Sequence, residues 1–174
     1  MQSPNMGRRA FLRGSSPRFS PSAIRPPWAL PFASFVVACT RCDDCIRACP
    51  QHILQRGDGG YPEPRFHSGE CTFCGECAAV CKAGAFQPPA HTPRDAWKLA
   101  VSIAPTCLSL NGVVCRSCGD HCDAHAIRFQ LQTRAIAVPH IDPASCTGCG
   151  ACLSVCPVNA VEIQNISHQE EQAA

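Results

Sequence analysis

Cys39-Thr40-Arg41-Cys42-Asp43-Asp44-Cys45-Ile46-Arg47-Ala48-Cys49-Pro50 crowds four thiols into one short loop. The spacing, two residues, two residues, then three, returns at Cys71, Cys74, Cys77 and Cys81, where Lys82 stands in place of the proline. It returns in full at Cys146, Cys149, Cys152 and Cys156, followed by Pro157. A fourth set is irregular: Cys107 is separated by Leu108 to Val114 from Cys115, Cys118 and Cys122. All 16 cysteines of the 174 residues fall into these four sets, and none is left over.

Three chemistries compete for such thiols. Disulfides are a poor fit, because the Cβ vectors of cysteines this close in sequence diverge. Structural zinc uses two pairs split by a longer spacer, and the middle cysteine of C-x2-C-x2-C has no role there. Three thiolates at these intervals do wrap three corners of a 4Fe–4S cubane, and C-x2-C-x2-C-x3-C-P is the run that bacterial-type ferredoxins use. The sequence therefore reads as an iron–sulfur protein with three regular clusters and a fourth at the irregular set. That fourth set is open to a second reading, a degenerate and empty site. Occupation is favoured because four free thiols held close together are prone to oxidation.

Only 6% of residues are aromatic and 16% charged, so the apolar core is thin. Small metallo-domains offset this by drawing folding free energy from cofactor binding, and the cluster-free chain is expected to be largely unfolded. The formal charge of +2 changes sign once clusters are counted. Four oxidised cores and their thiolates bring the loaded protein to about −6, so the sequence implies no nucleic-acid partner.

The cysteine sets belong to a longer repeat. Each is followed by a segment suited to a half-buried strand: His52-Ile53-Leu54-Gln55, Gly84-Ala85-Phe86-Gln87, Ile127-Arg128-Phe129-Gln130 and Val161-Glu162-Ile163-Gln164. The expected fold is α+β: two tandem bacterial-type two-cluster modules with short helices and small β-hairpins, at 39–87 and 107–165. A basic irregular arm (1–38) precedes them, a linker (88–106) joins them and an acidic tail (166–174) follows. In two-cluster ferredoxins the fourth cysteine of one run serves the other cluster. On that rule the sets are Cys39, Cys42, Cys45 with Cys81; Cys71, Cys74, Cys77 with Cys49; Cys107, Cys115, Cys118 with Cys156; and Cys146, Cys149, Cys152 with Cys122. Pro50 and Pro157 stiffen the loop exits. The seven histidines show no metal-binding pairing. Nothing resembles a catalytic triad, a nucleotide loop or a paired-carboxylate site, which points to a non-enzymatic accessory protein.

Residues 1–38 carry Arg8, Arg9, Arg13, Arg18 and Arg25 and no acidic residue. Gly7-Arg8-Arg9-Ala10-Phe11-Leu12 is similar to a twin-arginine export motif, but Arg13-Gly14-Ser15-Ser16-Pro17-Arg18 stands where an apolar region would start. The apolar stretch Trp28 to Ala38 is broken by Pro31, and no segment reaches the roughly 18 apolar residues of a membrane span. Cytoplasmic residence is the expectation. Arg8, Arg9, Arg25 and Trp28 have the composition of a binding hot spot on an exposed arm.

The Arg-Arg start, Ile24-Arg25-Pro26-Pro27-Trp28, the first cysteine run, Ile53-Leu54-Gln55-Arg56-Gly57, Gly59-Gly60-Tyr61-Pro62 and the irregular third set together resemble the NapF family, over about residues 7–164. These are ferredoxin-type accessory proteins of bacterial periplasmic nitrate reductase systems. The resemblance implies a cytoplasmic protein that binds the precursor of the catalytic subunit, NapA, and assists its maturation before export, by supplying electrons or loading its iron–sulfur cluster. Two other readings stay open from the residues: a general electron-transfer ferredoxin or redox subunit serving a molybdoenzyme or quinone-linked complex, and an adaptor whose clusters only hold the fold.

Overall fold

The computed structural model describes residues 23–89, 92–132 and 137–166. Among the described residues, five short α-helices carry the liganding loops and their entry: α1 (Phe32–Ala38), α2 (Asp44–Ala48), α3 (Glu76–Ala79), α4 (Ser117–Asp120) and α5 (Ala151–Ser154). Six strands among the same residues form three separate antiparallel pairs. Strand β1 (Leu54–Arg56) pairs with β2 (Pro62–Pro64), β3 (Leu99–Ile103) with β6 (Val161–Asn165), and β4 (Ile127–Leu131) with β5 (Ala137–Ile141).

The backbone explains why the cysteine spacing repeats. In the three regular loops, the residue before the second cysteine and the residue after it both take a left-handed conformation. These are Arg41 and Asp43, Phe73 and Gly75, and Gly148 and Gly150. Such paired reversals turn a short loop so that its cysteines converge. The last of each pair starts a helix, α2, α3 or α5, which carries the third cysteine: Cys45, Cys77 or Cys152. A second reversal recurs at the third residue after the final cysteine of all four sets: His52, Gly84, His125 and Asn159, with φ of 52°, 67°, 49° and 50°. Gly, Asn and His are the residues expected to tolerate that region. The next residue turns inward every time, and Ile53, Ala85, Ala126 and Ala160 are all buried. Two of the histidines thus have a backbone role.

Two regions differ from the expectation drawn from sequence. The stretch 88–106 contains β3, whose Leu99 to Ile103 pair in register with Asn165 to Val161 and complete the second module. The arm, where it is described, is also part of the fold. Ala29 bridges Phe86, as β3 pairs with β6 in the second half, and Leu30 N–H donates to the Ala85 carbonyl at 3.0 Å. Phe35 of α1 is fully buried against Tyr61 and Ala85. Arg8, Arg9 and the acidic Glu170 and Glu171 lie outside the described residues.

The core comes in three patches, one of which spans the modules: Ile53, Leu54 and Phe66 pack with Trp97, Leu153 and Ile163. No helix among the described residues is long and apolar enough to cross a membrane.

Candidate iron–sulfur sites

The four sets of cysteines meet across the sequence repeats. Cys49, from the end of the first run, lines one cavity with Cys71, Cys74 and Cys77 (site II). Cys156 lines a second with Cys107, Cys115 and Cys118 (site III), and Cys122 a third with Cys146, Cys149 and Cys152 (site IV). Cys39, Cys42 and Cys81 surround Cys45 closely enough that their charges add to the effect of its burial (site I). Each set therefore takes three thiols from one run and the fourth from the other run of its module.

These sites suit a cube and not a single ion. Among the described residues no three of His, Cys, Asp or Glu come close enough to share one metal ion, so the sulfurs are spread round a space. The walls are apolar: Pro27, Ile53 and Leu54 at site II, Ile103, Leu108 and Phe129 at site III, Val101, Ile127 and Ile141 at site IV. Backbone donors already point at sulfur. Ala126 N–H donates to Cys122 Sγ at 3.3 Å and Ala160 N–H to Cys156 Sγ at 3.1 Å, each from the residue after the left-handed exit. Such donors stabilise thiolate charge and set the potential of a bound cluster.

Burial shapes the thiols. It pushes Cys45, Cys71, Cys77 and Cys152 up to about 12, and Cys118 to about 11, with neighbouring cysteine charges adding to the rise. Without a cofactor these thiols hold their protons. A cluster must displace them, which couples loading to proton release.

Site III is built differently. Arg116, which follows Cys115, has φ −135°, where the regular loops are left-handed. The seven-residue insertion carries a single 3-10 turn (Ser109–Asn111) whose Ser109 hydroxyl donates to the Ala137 carbonyl. That turn holds Cys107 beside the other three thiols, so the irregular spacing does not break the set apart. Val113 and Val114 beyond it are exposed.

The proposed hot-spot residues of the arm are placed otherwise than composition suggests. Trp28 is 5% exposed and Arg25 8%. Arg25 pairs with the carboxylate of Glu63 at 3.3 Å, and its guanidinium lies over the rings of Phe32, Phe35 and Tyr61. Burial lowers its pKa, opposed chiefly by Glu63. Neither residue is free to greet a partner, because each is spent inside the protein's own packing. Trp28 instead lines site II, a role composition alone does not reveal. It adopts a left-handed φ of 58°, a conformation that costs about 1–3 kcal/mol for a bulky residue.

The modules touch at their liganding loops. Cys71 N–H donates to the Cys149 carbonyl at 2.8 Å, linking site II to site IV. Trp97 Nε1 donates to the Thr147 carbonyl at 3.0 Å, and its ring meets Phe66 edge-on at 5.8 Å.

Known proteins share this organisation. The 4Fe-4S dicluster domain model matches twice, at residues 38–85 and 113–160. The ferredoxin-type protein NapF of Haemophilus influenzae is 42% identical over 175 residues, covering 95% of this chain and 98% of that one. The NapF of Escherichia coli is 44% identical over 154 residues, covering 88% and 92%. The chain belongs to the NapF family. Like other dicluster proteins, this NapF relative carries multiple 4Fe–4S clusters. The body is not confined to NapF: a methylamine utilization ferredoxin-type protein, MauM, of Methylorubrum extorquens is 33% identical over 170 residues, covering 89% and 77%.

Proposed function

We propose that this protein is a four-cluster redox partner of a periplasmic nitrate reductase, acting in the cytoplasm on the precursor of the catalytic subunit, NapA, before export. Bound 4Fe–4S clusters supply one-electron exchange. The cysteines that hold them are those grouped at sites I to IV, each site completed by a residue of the partner run. The protein's own residues exclude water with apolar walls, aim N–H groups at sulfur and fix the distance between modules through the Cys71–Cys149 hydrogen bond. The task is to supply electrons to the precursor or to load its cluster.

The observation that carries this reading is membership of the NapF family along nearly the whole chain, with four complete thiol sets in place. A second reading, a general electron carrier, is favoured by a different observation. Arg25 and Trp28 are buried, which removes them as a dedicated docking arm, and MauM, named for another process, shares the body.

An anaerobic pull-down separates the two. Tagged, cluster-loaded protein should retain NapA that still bears its signal peptide, and Arg8→Ala with Arg9→Ala tests the two candidate arginines that lie outside the described residues. Failure to capture the precursor, from protein with reducible clusters, favours the general carrier.

A further inference from the structure

Trp28 carries the arm to a cysteine site. It lines the site II cavity with Cys49, Cys71, Cys74 and Cys77. Its indole Nε1 is shielded from solvent and has no hydrogen-bond acceptor among the described residues. A buried N–H without an acceptor is costly, and native proteins rarely leave one so. Trp97 shows the ordinary solution, since its Nε1 donates to a carbonyl. The missing acceptor of Trp28 is not a chance gap at a loose end, because the backbone is held firmly. Trp28 N–H donates to the Ala96 carbonyl at 2.6 Å, its carbonyl accepts from Gln87 N–H at 2.8 Å, and its ring stands edge-on to Phe73 at 6.4 Å. The left-handed φ of 58° is an outlier for so large a residue. Strain of this kind persists where surrounding structure imposes it, and it gathers at functional sites.

We infer that the Trp28 indole N–H donates to a sulfur of the cluster held at site II, and so sets that cluster's reduction potential from the N-terminal arm. This rests on the reading that Cys49, Cys71, Cys74 and Cys77 hold a cluster. A reduced cluster carries one more negative charge than an oxidised one, so a donor to its sulfur stabilises the reduced form more and raises the potential. Trp28 is a positioning and tuning residue.

The test reads the cluster and not turnover. Trp28→Phe keeps an aromatic ring beside Phe73 and removes the N–H. Full-length loaded protein is poised where the site II cluster of the wild type is half reduced, that cluster being identified by the EPR signal lost in Cys74→Ala. There the ratio of reduced to oxidised cluster should fall about tenfold, a 59 mV downward shift for a one-electron couple, with the other clusters unmoved. An unchanged ratio overturns the proposal. Should phenylalanine unsettle the arm, protein that retains Trp28 decides. With 15N in the indole and Trp97→Phe leaving a single label, pulsed EPR of reduced site II should show coupling to nitrogen bearing an exchangeable proton, and its absence overturns the proposal. If Cys74→Ala removes no signal, the assignment of the four cysteines has failed, and the role of Trp28 falls with it for a distinguishable reason.

Discussion

A Cβ built on Gly150 would lie 2.1 Å from Cδ1 of Phe66, a ring in the other module. The same residue has φ +88° and begins the helix that carries Cys152. Two penalties therefore meet in Gly150→Ala: the left-handed backbone, at about 1–2 kcal/mol, and the displaced ring, at about 1–3 kcal/mol. The loaded variant is expected to lose its visible absorbance at clearly lower denaturant than the wild type, and Phe66→Leu in the same chain should restore part of the difference. An unaltered midpoint would show that the modules do not pack through this contact. Residue-scale chemistry also explains what was legible. His52 and His125 show no metal-binding pattern, and the structure gives them a left-handed exit instead. The burial of Arg25 was not legible, because it depends on Glu63, 38 positions away and carried on a different element.

Helices of four and five residues such as α2 to α5 have no stability alone, since nucleation costs more than so few hydrogen bonds return. They hold their place because each presents one thiol to a set and packs against its counterpart in the other half of its module. The crossed sets make a sharp forecast. Cys49→Ala should remove the cluster of Cys71, Cys74 and Cys77, although Cys49 ends the first run, and Cys156→Ala should remove that of Cys107, Cys115 and Cys118. The opposite pattern, each alanine erasing the cluster of its own run, would mean the runs act independently. EPR of the reduced variants reads this directly. At this scale the spacing made the four loops and most strand segments plain. Strand β3 was hidden by its setting. Leu99-Ala100-Val101-Ser102-Ile103 alternates as a strand should, but it follows the proline-rich 88–93, and its partner, β6, lies some sixty residues downstream.

Across the whole molecule, the thin core and the buried thiols set how cofactor and fold depend on each other. Burial raises Cys45, Cys71, Cys77 and Cys152 to about 12, against about 8.5 for a free thiol. The sign follows from proton binding. Below about 8.5 the buried thiols stay protonated and cost a fold nothing, and as pH rises toward 12 their reluctance to ionise increasingly opposes it. Releasing a cluster takes up protons, so release is favoured as pH falls. At a matched effective chelator strength, more cluster should therefore be lost at equilibrium at pH 6 than at pH 8. An equally retained cluster at both pH values would contradict the linkage. The cluster-free chain should in turn show weak far-UV CD and no cooperative melt. The number of modules and the chemistry of their cofactor were legible because metal spacing is a local property of sequence. The joining of the modules through Cys71 and Cys149, and the reach of the arm to site II, were not, because both arise from long-range packing.

All of this rests on four filled sites, with the irregular third set as competent as the rest. Iron and acid-labile sulfide analysis of anaerobically loaded full-length protein tests that claim most directly. Four irons per cube make about sixteen irons and sixteen sulfides per chain, falling to about twelve of each in Cys115→Ala. About twelve of each in the unaltered protein, with no further loss in Cys115→Ala, would show that the cavity of Cys107, Cys115, Cys118 and Cys156 holds no cluster.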